Sequence, residues 1–98
     1  MRYRISDTAK EELAGAVAYY EHQRAGLGFE FAVEVGLALG HVLDAPDSWP
    51  HIAAGFRRYK IDRFPYALIY RKAEAGLVEV VSIFDQRRRP ESWRRNLK

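Results

Sequence analysis

The chain has 98 residues, 48% of them apolar and 30% charged, which suits one small globular domain over residues 1–98 and excludes a disordered chain. With no cysteine it cannot build a disulfide framework or a thiolate metal site. The net charge of +3 hides an asymmetry: residues 87–98 set five arginines and Lys98 against Glu91 alone, a net +5, which leaves residues 1–86 at −2.

The start, "MRYRISDTAKEEL", has no apolar signal-like region, and no run approaches the roughly 20 apolar residues of a membrane span. The expectation is a soluble cytoplasmic protein with no membrane partner. "YRI" at 3–5 reads as a short strand. Ser6 then offers an N-cap oxygen to a helix whose positive end is matched by Asp7, Glu11 and Glu12. Ala9, Leu13, Ala16, Val17 and Tyr20 form one helical stripe. "RAGLG" breaks the helix, because Gly26 and Gly28 permit a tight reversal.

A second helix is expected from about Phe29, with Phe31, Val35, Ala38, Leu39 and Val42 on one face. Gly36 and Gly40 each cost about 1 kcal/mol relative to alanine there, and close approach to another backbone would explain them. Pro46 ends the helix and the short connection makes an antiparallel hairpin. In "FRRYKI" at 56–61, alternation puts Arg57, Tyr59 and Ile61 on one face and Arg58 and Lys60 on the other. "YALIYR" at 66–71 follows, then a turn at Gly76. "LVEVVSIF" at 77–84 is nearly continuous in apolar character, as a strand covered on both faces would be. Arg89-Pro90 is expected to stop that strand, and "PESWRRNLK" can form a last helical turn with Pro90 at its first position. The order β-α-α-β-β-β segregates helices from strands, which argues for an α+β fold: a helical hairpin on a small, mainly antiparallel sheet.

Catalytic constellations are sparse. His22, His41 and His51 sit on separate segments without ligand spacing, so no zinc site and no cofactor is expected. None of Ser48, Ser82 and Ser92 has a neighbouring histidine, and no glycine-rich phosphate loop exists. What remains is basic chemistry on the sheet. Arg57, Arg58, Lys60, Arg63, Arg71 and Lys72 lie on adjacent strands, and Arg87, Arg88 and Arg89 follow the last one. Such a surface attracts phosphates or an acidic protein, and a plainly solvated charge run is the alternative. Metal-free RNA cleavage would also need a group that exchanges protons, which arginine does not do. After Tyr70 the chain has no His and no Tyr, which leaves Lys60 as the best base and Asp85 or Glu91 as weaker ones. Phe56, Tyr59, Phe64, Tyr66, Tyr70 and Phe84 read as core. Trp93 either docks the terminal turn on the sheet or stacks under an arginine.

Together, the "SDTAKEELAGAVAYYEHQ" helix, the arginine-led strand, "RFPYALIYR" and the ending "QRRRPESW" resemble the RelE/ParE superfamily of type II toxin–antitoxin toxins, from about residue 3 to residue 95. The resemblance implies the same fold and a toxin held in a complex with a cognate antitoxin. RelE-like members bind the ribosome and cut mRNA with sheet Lys and Arg plus a late Tyr or similar group. ParE-like members lack that set and inhibit DNA gyrase, and this sequence is closer to them. In many relatives the strand before the arginines ends in His where Asp85 stands. The resemblance carries over Arg57 first, then Arg87, Arg89 and Trp93, and with the basic surface read above the expected target- or antitoxin-binding residues are Arg57, Arg58, Arg71, Arg87, Arg88, Arg89, Trp93 and Arg94. Under the nuclease alternative, Arg57, Lys60 and Arg87 would act. A member that has lost toxicity and only binds its partner is the third reading.

Overall fold

Ser6 separates the first strand from the first helix by its own chemistry. It follows β1 (Arg2–Ile5), keeps an extended backbone, and lets its hydroxyl accept from Ala9 N at 3.1 Å at the start of α1 (Asp7–Gln23). The computed structural model describes residues 2–89 and 93–94, so Pro90 and most of the expected terminal turn lie outside the described residues. After α1 come α2 (Leu27–Asp44), β2 (His51–Ala53), β3 (Phe56–Lys60), β4 (Tyr66–Glu74) and β5 (Leu77–Asp85).

The hairpin between the helices depends on two glycines used in different ways. Gly26 takes φ 90°, a left-handed conformation that suits a residue without Cβ. Gly28, expected to serve the reversal, instead lies inside the first turn of α2, buried against α1. A Cβ there would stand 2.5 Å from the Val17 carbonyl oxygen, so its use is close approach, not backbone freedom. The Glu21 carboxylate completes the joint by accepting from Gly26 N at 2.9 Å and Gly28 N at 3.0 Å, amides that α2 cannot satisfy itself. Gly28→Ala is therefore expected to destabilise the chain by about 2 kcal/mol, within the range for overpacking. A urea midpoint equal to that of the parent would show that the helices part without cost.

The sheet order is β1-β5-β4-β3-β2, with β1 and β5 parallel and the remaining pairs antiparallel. The strand β2 was not expected. It is three residues long with no alternating pattern, and it pairs with β3 because Gly55 at φ 80° turns the chain back. Strand β5 also ends earlier than the Arg89-Pro90 junction. Asp85 bends the chain there: its Oδ1 accepts from Arg87 N at 2.9 Å and its carbonyl from Arg88 N at 3.0 Å.

The helices cover one face of the sheet, where Tyr20, Phe31, Phe64 and Tyr66 meet edge-on or tilted, with Tyr20 to Phe64 at 4.9 Å and Phe31 to Tyr66 at 5.0 Å between ring centres. A smaller cluster of Ile69, Val81, Phe84 and Trp93 occupies the opposite face, with Ile52 and Phe56 at its margin. A bulge at Val81 shifts the β4–β5 register, and the Glu12 carboxylate from α1 enters beside it. Glu12 Oε1 accepts from Ser82 Oγ at 2.9 Å and Ile83 N at 3.0 Å, which satisfies the fully buried serine.

Candidate functional site

The opposite face of the sheet, away from the helices, gathers the chemistry. Strand alternation decides which basic residues reach it. Arg58 pairs with Ile69 of the second cluster and so points to this open face, whereas Arg57 pairs with Tyr70 and points to the helix side. Adjacent arginines are thus separated by the sheet. Arg71 and Glu79 alternate with Tyr70, Val78 and Val80 of the helix-side core, so they too lie on the open face, in register with Arg4. Glu79 receives Arg71 Nε at 2.8 Å and Arg4 Nε at 3.1 Å. Burial raises the Glu79 carboxyl, but the two guanidiniums outweigh it and hold the group below the usual carboxylate range.

At the other end of this face a cleft of about 270 Å³ opens between Ile52, Arg58, Ile69, Phe84, Gln86, Trp93 and Arg94. Its floor is apolar. Trp93 is 5% exposed, with its ring 5.8 Å from that of Phe56, so its side chain docks on the sheet. The Arg94 guanidinium also sits over the same indole at 5.6 Å, so docking and cation–π stacking occur together. Ile52 and Gln86 carried no sequence signal for this role, since the first lies on the unexpected β2 and the second in the turn after β5. Phe84 was legible as a residue of a strand covered on both faces.

The other basic residues have definite tasks. Arg57 donates through Nη1 to the carbonyls of Asp47 at 2.9 Å and Trp49 at 2.7 Å, and so holds the loop between α2 and β2. Tyr70 donates to Pro46 O at 2.6 Å in the same loop, and burial pushes its phenol up to about 12. Lys72 meets Asp47 at 3.1 Å. Lys60 lies on the open-face side of β3, with Nζ 3.3 Å from the carbonyls of Ile61 and Phe64. Arg63 pairs with Glu30 at 2.6 Å on the helix side. Arg88 and Arg89 are exposed beyond β5. The trio named for a nuclease does not converge: Arg57 sits beside Tyr70 while Asp85 and Arg87 sit beside Tyr66, separated along β4 by roughly 13 Å at about 3.3 Å per residue.

Arg87 is held by Asp85 through two parallel bonds of 2.9 Å, from Nε to Oδ1 and from Nη2 to Oδ2. That hydrogen bonding lowers the Asp85 carboxyl and raises the arginine. A depressed carboxyl stabilises the fold fully above its ordinary pKa of 3.8 and loses that contribution as pH falls through the folded-state value. Asp85→Asn is thus expected to cost at most about 1 kcal/mol near neutral pH, since Arg87 is half-exposed and screened by solvent. The gap between the urea midpoints of the variant and its parent should shrink below pH 3.8. A gap unchanged from pH 7 to pH 2.5 would dissociate the clamp from stability.

One ionisable pair escaped the sequence reading. His41, an exposed residue, places Nδ1 2.7 Å from the Tyr59 hydroxyl. Tyr59 lies on the helix side, and burial raises its phenol, so this pair is across the sheet from the cleft. Among the described residues no cluster of His, Asp or Glu could hold a metal ion, and no helix is long and apolar enough to cross a membrane.

The sequence matches a family model described as the ParE toxin of the type II toxin-antitoxin system, parDE, over residues 3–90. The structure is similar to a solved one described as the chromosomal ParDE TA system from P. aeruginosa, with a TM-score of 0.76 and 12% identity over 87% of this chain and 95% of that one. At such identity the likeness speaks for the fold. No curated protein sequence matches the chain.

Proposed function

The chain belongs to the ParE toxin family of type II toxin–antitoxin systems, and from that premise we propose that it arrests growth by binding DNA gyrase through the open sheet face, and that its antitoxin neutralises it by covering the same cleft. The observation that carries this reading is the lining of the cleft. Ile52, Ile69, Phe84 and Trp93 offer an apolar seat, and Arg58 and Arg94 stand at its rim. Neither aliphatic, aromatic nor guanidinium groups exchange protons near neutral pH, so the described lining suits gripping a partner better than cleaving a phosphodiester. A partner segment that sets an apolar side chain in the seat and carboxylates over the arginines gains both burial and charge-assisted hydrogen bonds.

Controlled expression in growing cells tests the reading. Trapped gyrase–DNA complexes with induced DNA repair are the expected result, and their absence in Arg58→Glu/Arg94→Glu cells assigns the effect to the cleft. Messenger RNAs cut within codons would replace the binding reading with a ribosome-dependent nuclease. Normal growth would leave a protein that serves its partner complex alone. For the antitoxin, the same double reversal should weaken binding at low salt more than at high salt. An affinity insensitive to both the substitution and the salt would discard the masking mechanism.

A further inference from the structure

Helix α2 is apolar on two sides, and the helix hairpin and sheet bury one of them. Phe31, Val35, Ala38 and Val42 face the core. On the outer side Phe29, Ala32, Val33, Gly36, Leu37 and Gly40 are all exposed, with Phe29 at 71% and Leu37 at 55%. They recur at i, i+3, i+4, i+7, i+8 and i+11, one continuous stripe. It carries no charge until Asp44 at the helix end, although a solvated helix face is ordinarily polar. At its centre stand two glycines, each a cost to the helix relative to alanine. Within 4 Å of the point a Cβ would occupy, Gly36 and Gly40 meet nothing among the described residues. Their contrast with Gly28, whose missing Cβ admits α1, is direct: the close approach they allow is not made within the chain.

We infer that this outer stripe of α2 is a self-association surface, on which α2 of a second copy crosses antiparallel with its Val33 and Leu37 in the notch over Gly36 and Gly40. Self-complementarity selects the occupant. The notch and the side chains that fill it lie on the same stripe, so one two-fold axis near Leu37 makes both contacts at once. That axis opposes the two helix dipoles and brings Asp44 of each copy toward Arg24 and Arg63, which flank the start of the other α2 through their pairs with Glu30. The cations flanking the stripe, Arg24 and Arg63, are already engaged by Glu30, whereas the open sheet face offers an acidic partner segment Arg58 and Arg94 beside an apolar cleft. One helix crossing buries less than the roughly 800 Å² per partner of a standard interface, so the dimer is weak and concentration-dependent.

Sedimentation of the purified full chain tests this without reference to toxicity. The mass average is expected to rise from 11.3 kDa toward twice that value between about 1 and 300 µM. Leu37→Glu, at an exposed helical position where folding is unaffected, should stay at 11.3 kDa throughout. Gly36→Ala and Gly40→Ala should raise the thermal midpoint of the monomer yet shift dimerisation to at least tenfold higher concentration, a pairing of opposite effects that mere surface polarity would not give. A parent chain that remains monomeric at the highest concentration, or a Leu37→Glu variant that dimerises like its parent, overturns the inference. So would a monomeric parent whose Leu37→Glu variant loses its co-purified antitoxin, which would assign the stripe to that partner.

Discussion

Trp93→Ala is expected to lower the unfolding free energy by about 3 kcal/mol, the scale of a buried tryptophan truncation softened by the site's opening to solvent. For a domain of this size that corresponds to a fall in melting temperature of roughly 12–24 °C. The indole is 5% exposed and closes the second cluster over Ile69, Val81 and Phe84, which are themselves at most 7% exposed. Taking it away returns that apolar surface to water. It also removes one wall of the cleft, so partner affinity should fall even at temperatures where the variant remains folded. Trp93→Phe restores part of the packing with Phe56 and should recover more than half of the lost stability. Far-ultraviolet circular dichroism in urea reads the effect. A Trp93→Ala curve that overlays the parent would mean that the terminal segment contributes nothing to the fold.

A comparison with Arg94 decides which force holds Trp93 on the sheet. The Arg94 guanidinium sits over the same indole, but an exposed cation–π contact contributes about 0.5–1 kcal/mol. Arg94→Ala should therefore cost several times less stability than Trp93→Ala while still weakening an anionic partner. Burial fixes Trp93, and the charge of Arg94 is left for recognition. The same division runs along the open face: Glu79 neutralises part of Arg71 and Arg4, and Arg58 and Arg94 remain at the mouth of an apolar cleft.

How far the sequence anticipates this arrangement depends on whether a feature is local. The Ser6 cap, the two helical stripes and the alternation of β3 are set by neighbours a few residues away, and the structure keeps each of them. The two-sided cover of β5 was also legible, because a nearly continuous apolar run must be buried twice. Features that need strand pairing were not. Strand β2 has three residues and no pattern, and it exists because β3 lies beside it. Glu12 looked like a charge near a helix start, yet it serves a bulge in β5 that follows from the β4–β5 register. Gly28 and Gly36 are the same letter in one helix, and only the neighbouring backbone tells close packing from open space. In the basic set, alternation separates Arg57 from Arg58, but which side the helices cover is a tertiary fact.

That fact makes the Arg57 variant the second large expected effect. Arg57→Ala removes both hydrogen bonds to the loop carbonyls of Asp47 and Trp49, the second of them partly buried. A charged donor to a carbonyl contributes about 1.5–3 kcal/mol when shielded and less when exposed, so a net loss of about 2 kcal/mol, or roughly 8–16 °C in melting temperature, is expected. Arg57→Lys should recover part of that loss, because both bonds come from the one nitrogen Nη1 and an ammonium has donors enough for two carbonyls, although it reaches them on a shorter and more flexible stem. Tyr70 grips the same loop at Pro46, so Arg57→Ala and Tyr70→Phe together should cost less than their sum, the loop having already been released by either. Arg58→Ala should do the reverse: stability within about 0.5 kcal/mol of the parent and a clear loss of partner affinity. Measured side by side, the two variants separate a residue that positions a loop from one that meets a partner. If Arg57→Ala leaves the urea midpoint in place and abolishes binding, the guanidinium leaves the loop to make the contact itself, and the assignment of the two faces reverses.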